Sequence, residues 1–127
     1  MKITIDLVTL AAKEVLVGFS TSVGFATAVW RAVPPKVGDQ YDVELEVDDE
    51  FVWGENACSS LKNAHSIEVA DGIVTMTGTL MSNDLEGGAV VDVGGSIILI
   101  DLIGCTEIDS VLVDLKVKNI NVFPTGI

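Results

Sequence analysis

The chain has 127 residues, is 49% hydrophobic, and carries 19 Asp and Glu against 7 Lys and Arg, a formal net charge of -12. That length and apolar content fit one domain with a real core. The charge argues against nucleic-acid binding, which depends on Lys and Arg contacts to phosphates; the longest apolar run, Ile97 to Ile100, is far short of the roughly 20 residues of a membrane helix.

In chain order, residues 2 to 8 read as a strand with Ile3, Ile5 and Leu7 on one face. Asp6 interrupts what would otherwise resemble the apolar part of a signal peptide, so the expected location is cytoplasmic. From Val15 to Arg31 the large residues fall mostly at odd positions (Val17, Phe19, Val23, Phe25, Val29) and small ones at even positions. Period two over this length means β structure, either one bent strand or a hairpin turning near Ser20 to Gly24, the latter preferred. The small face would admit another backbone or line a shallow groove. Pro34-Pro35 then breaks the pattern.

Tyr41 to Asp48 alternates strictly. Tyr41, Val43, Leu45 and Val47 point one way, and Asp42, Glu44, Glu46 and Asp48 the other. Residues 55 to 65 are the best helix candidate, with Asn56 or Ser59 as a cap. Ser66 to Ala70 and Ile73 to Met81 read as strands around an Asp71-Gly72 hairpin turn. In the second of these Val74, Met76 and Leu80 face inward, Thr75, Thr77 and Thr79 outward, and an inward Gly78 allows close packing. Ala89 to Val93 and Ser96 to Ile103 flank Gly94-Gly95, either a two-residue turn or a bulge. The unbroken Ile97 to Ile100 predicts a strand covered on both faces, by the core and by a partner or helix. Gly104 to Asp109 reads as a turn. Ser110 to Phe123 reads as a last strand with a bulge at Lys118-Asn119.

Roughly seven or eight short strands with Gly, Pro and Asp punctuation predict an all-β fold. The expected form is a small antiparallel barrel, OB-like or a related sandwich, with at most one short helix near 55–65. The segment Lys36-Val-Gly-Asp-Gln-Tyr-Asp-Val-Glu-Leu-Glu46 resembles the opening of many small barrels, OB-like ones included. That resemblance implies a fold and no activity.

No catalytic constellation is legible, so the reading leans away from an enzyme. Asp48, Asp49, Glu50 and Glu55 lack the spacing of a cation loop, and successive strand residues diverge, so neither a metal nor a cofactor is expected. Cys58 and Cys105 match no zinc or redox motif and read as free thiols. Cys58 and His65 read as a buried cysteine and a surface histidine rather than a thiolate pair. Trp30 beside the only arginine, Arg31, and Trp53 are the candidate anchors, either interface hot spots or core indoles. A mean hydropathy of +0.51, with Leu112, Ile73 and Met81 on outward faces, predicts a homo-oligomer, most simply a dimer.

The expected function is a non-enzymatic acidic module docking a protein partner, with the acidic surface favouring a basic one, as immunity or inhibitor proteins do by analogy. The candidate binding residues are Trp30, Arg31, Trp53, Asp42, Glu44, Glu46 and Asp48. The alternatives are a self-assembling structural subunit, or a ligand-binding protein or enzyme using the barrel mouth. The acidic stripe has a competing use: Lys116 and Lys118 could match it across neighbouring strands.

Overall fold

A strand with one apolar face needs a partner, and the chain supplies the first within a few residues. In the computed structural model, which describes residues 1–107 and 110–125, β2 (Val15–Thr21) and β3 (Gly24–Trp30) form a hairpin. Thr21 Oγ1 holds the turn, accepting the Val23 N–H at 3.0 Å and donating to the Gly24 carbonyl at 3.0 Å. The two-residue turn inverts the parity of the pattern. Phe19 faces Ala26, Val17 faces Ala28 and Val15 faces Trp30. The core therefore takes odd residues from β2 and even ones from β3, and Phe25, large but odd, ends up exposed.

A second phase change occurs in β1 (Lys2–Leu10), which pairs with β2. Ile5 faces Phe19 and Leu7 faces Gly18, so Asp6 is an extra residue. This bulge turns Leu7 outward, against the expectation of a single inward row Ile3, Ile5 and Leu7.

β4 (Gln40–Val47) pairs antiparallel with β1 through Asp42 and, on its other edge, with β12 (Ile120–Pro124). β12 then lies parallel to β3, with Asn121 facing Val29 and Val122 facing Trp30. The ring β1–β2–β3–β12–β4 is a closed barrel of five strands, filled by Ile3, Ile5, Phe19, Trp30, Leu45 and Val122. The expected small barrel is present. One seam is parallel because β12 arrives from outside the barrel and enters alongside β3, so the barrel is mixed rather than wholly antiparallel.

The other seven strands lie between β4 and β12 in sequence and pack outside the barrel. They are β5 (Glu50–Val52), β6 (Ala57–Ser59), β7 (Ser66–Ala70), β8 (Ile73–Asn83), β9 (Gly88–Val93), β10 (Ser96–Ile103) and β11 (Val111–Val117). β8 is their axis. β11 runs along one edge, while β7 and then β9 share the other. Asp71-Gly72 and Gly94-Gly95 both form two-residue hairpin turns, all four residues having positive φ. The inward Gly78 has no room for a side chain: a Cβ there would sit 2.4 Å from the Asp92 carbonyl oxygen. The outer strands join the barrel where the Ile67 N–H donates to the Val23 carbonyl at 2.9 Å, and β10 packs beside β4.

Two further expectations are corrected. No helix forms among the described residues. In the stretch 55–65, the Asn56 side chain reaches back to the Val52 N–H (2.8 Å) and the Glu50 carbonyl (2.9 Å) instead of capping amides ahead of it, and β6 follows directly. The last stretch is also two strands rather than one bulged strand: β11 belongs to the outer sheet and β12 to the barrel. Both oxygens of Asp49 accept the N–H groups of Lys118 and Asn119, each at 2.9 Å, at the crossing. Of the turn expected over Gly104 to Asp109, Ile108 and Asp109 lie outside the described residues.

Candidate functional site

The acidic strand and the unbroken apolar run, distant in sequence, come together on one face. On β4, Val43, Leu45 and Val47 are buried, while Asp42, Glu44, Glu46 and the following Asp48 are exposed. On β12, Phe123 faces Glu44 and Asn121 faces Glu46. β10 lies on the other side of β4. Its burial alternates although its sequence does not: Ile98, Ile100 and Leu102 are buried, while Ile97 is 56% exposed and Leu99 71% exposed. A hollow of about 500 Å³ lies between these strands, bordered by Met1, Glu44, Glu46, Ile97, Leu99 and Phe123. β10 gains its second strand neighbour, β5, only from Asp101 onward, and no ladder joins β10 to β4 among the described residues. The apolar residues of this face therefore stand beside carboxylates and partly free backbone.

The acids of the stripe have little internal compensation. Lys2 sits across from Asp42. Lys116 lies on β11 opposite Thr75 in the outer sheet, and Lys118 presents its backbone N–H to Asp49. Neither lysine forms an ion pair with the stripe; the salt bridges among the described residues are both made by Lys62.

A second hollow, of about 510 Å³, lies on the outer surface of β1, β2, β3 and β12. Its floor follows from the register. Leu7, Gly18 and Thr27 form one row across the strands, and Thr9, Leu16, Val29 and Asn121 form the next. The small even face of β2 thus contributes to a groove, as expected from its composition. Arg31 and Asp48 stand at its rim, joined through Asn121. Arg31 Nε donates to Asn121 Oδ1 at 2.8 Å, and Asn121 Nδ2 donates to Asp48 Oδ2 at 2.8 Å.

The tryptophans lie elsewhere. Trp30 is 4% exposed and inside the barrel; its Nε1–H donates to the Val33 carbonyl at 2.7 Å, and its ring meets Tyr41 edge-on with centroids 4.9 Å apart. Partial burial, and then the bond it donates to Asp39 Oδ2, raise the Tyr41 pKa above its ordinary value. Trp53 is half-buried beside Gly104 in the outer module. The structure therefore brings together Glu44 with Glu46, and Arg31 with Asp48, and leaves both indoles out of these groups. Phe123, Ile97, Leu99 and Asn121 were not singled out by sequence. The unbroken apolar run was the available signal for Ile97 and Leu99, whereas the strand exchange at Lys118-Asn119 hid Phe123 and Asn121.

Cys58 is exposed and His65 half-buried, the reverse of the expected pair; Cys105 is buried, and both thiols are free. His65 Nδ1 accepts the Gly94 N–H at 2.9 Å, so a neutral ring carries its proton on Nε2, and Nε2 lies 2.7 Å from Thr79 Oγ1. The imidazole is engaged on both sides. No protein-family model, curated protein or solved structure gives a significant match to this chain.

Proposed function

We propose that this protein is a non-enzymatic binding module that docks a basic segment of a protein partner on the face formed by β4, β12 and β10. The observation that carries this reading is the placement of exposed Ile97, Leu99 and Phe123 around Glu44 and Glu46, with no lysine among them. Covering a leucine or isoleucine is worth about 1.5–3 kcal/mol when burial is complete. The carboxylates add attraction and orientation for a cationic partner. A second copy of this chain is a poorer occupant, because each copy carries a net charge of -12 and would bring the same two glutamates to a shared face. Ile73 and Met81, both exposed, lie towards opposite ends of the long strand β8. Phe123 takes the aromatic role that the buried Trp30 cannot.

The test is the fluorescence anisotropy of a labelled peptide carrying leucines flanked by lysines. The wild-type chain binds it. Leu99→Ser and the pair Glu44→Gln with Glu46→Gln each weaken binding by about tenfold or more, the effect of roughly 1.4 kcal/mol. A control pair with the same charge change elsewhere, Glu55→Gln with Glu86→Gln, leaves binding nearly unchanged. Equal losses from both pairs would reduce the interaction to non-specific charge and remove the site. A stable dimer in sedimentation, broken by Leu99→Ser, would assign the face to a second copy instead.

A further inference from the structure

We propose that the hollow on the outer barrel surface binds a small zwitterion, specifically an α-amino acid with an aliphatic side chain. The site is separate from the docking face, and its warrant is Asn121. This residue points away from the barrel interior, opposite in phase to the buried Ile120 and Val122, yet it is 4% exposed. Its amide is used on both sides, accepting from Arg31 and donating to Asp48. One guanidinium and one carboxylate are thus held an amide's width apart, and neither forms an ion pair with any described residue.

Each retains hydrogen-bonding capacity. The two terminal nitrogens of Arg31 make no hydrogen bond among the described residues, and neither does Asp48 Oδ1. A guanidinium presents its terminal N–H groups as a planar fork that suits a carboxylate, and a carboxylate oxygen suits an ammonium. A molecule bearing both groups on one carbon satisfies the two together. Leu7, Leu16 and Val29 lie in the adjoining floor and provide an apolar surface for its side chain. Glu14 and Lys118 complete the charged lining. Two positive and two negative side chains cancel, which favours a ligand with separated charges and no net charge. The volume of about 510 Å³ lies within the usual range of small-molecule pockets, about 300–1,000 Å³.

Isothermal titration calorimetry on the whole chain with L-leucine, 3-methylbutylamine and 4-methylpentanoate tests this without altering the protein. L-leucine binds, and the two analogues, each lacking one charged group, bind at least about tenfold more weakly. Arg31→Gln and Asp48→Asn, with thermal melts matching the wild type, each reduce leucine affinity by a similar factor. The absence of leucine binding to the folded wild-type chain would overturn the proposal. So would equal affinity for an analogue, or amide shifts in nuclear magnetic resonance that fall away from Leu7, Leu16, Val29, Arg31 and Asn121.

Discussion

Two polar rows of this molecule look alike in the sequence and differ in the structure. The outward threonines of β8 and the outward acids of β4 both alternate with core residues. The β8 row is closed by its neighbours. Thr77 is fully buried and donates to Asp114 Oδ1 at 2.6 Å, while Lys62 Nζ donates to Thr77 Oγ1 at 3.1 Å and pairs with Glu68 at 3.3 Å. Thr79 meets His65. The β4 acids have Phe123 and Asn121 across from them on one side and exposed Ile97 and Leu99 on the other. A polar row consumed by its own fold is structure. A row left beside bare apolar side chains is available to something else.

The contrast breaks first at Thr77. Thr77→Val removes a buried hydroxyl from two partners and should lower unfolding stability by about 1–3 kcal/mol, read as a lower urea midpoint with an unchanged slope. His65→Leu comes next. It strands the Gly94 N–H and the Thr79 hydroxyl and should cost about 1–2 kcal/mol by the same measurement. Lys62→Met should cost only about 0.2–1 kcal/mol, because its ion pairs are partly exposed. On the other face, Glu44→Gln with Glu46→Gln should change stability by no more than about 0.5 kcal/mol in either direction. A large loss there would mean that those acids serve the fold.

Asp84 is an acid of another kind, held by its own loop. Its carboxylate accepts the N–H groups of Glu86 and Gly88 at 2.8 and 3.0 Å, and those bonds lower its pKa below the ordinary 3.8. A depressed folded pKa means that its contribution is fully present above about pH 3.8 and is lost as pH falls through the lowered value. Asp84→Asn should therefore reduce the acid-side fall in stability slightly, as seen in urea midpoints at neutral and acid pH. An unchanged acid limb would remove this role.

The β structure was legible because alternation and turn dipeptides are local. Tyr41 to Asp48 and Asp71-Gly72 carry their structural meaning in neighbouring residues. What stayed hidden depended on phase or on distant partners. The turn at Ser22-Val23 reversed the parity of β3, and the Asp6 bulge turned Leu7 out. Both changes shaped the outer hollow, and neither shows in composition. The crossing at Lys118-Asn119 took Lys116 into the outer sheet and brought Phe123 beside Glu44. A period-two pattern on either side of Asn119 cannot tell a bulge from a change of sheet. The run Ile97 to Ile100 predicts a strand covered on both faces; the structure buries Ile98 and Ile100 but leaves Ile97 and Leu99 exposed, with no helix over them among the described residues.

The proposed docking face of β4, β12 and β10 is tested by a nuclear magnetic resonance titration of the labelled chain with the lysine-flanked leucine peptide at low and high salt. Docking there should shift the amides of Glu44, Glu46, Ile97, Leu99 and Phe123, with shifts that weaken with salt and collapse in the Glu44→Gln, Glu46→Gln variant. Shifts centred on other strands, or unchanged in that variant, would contradict it.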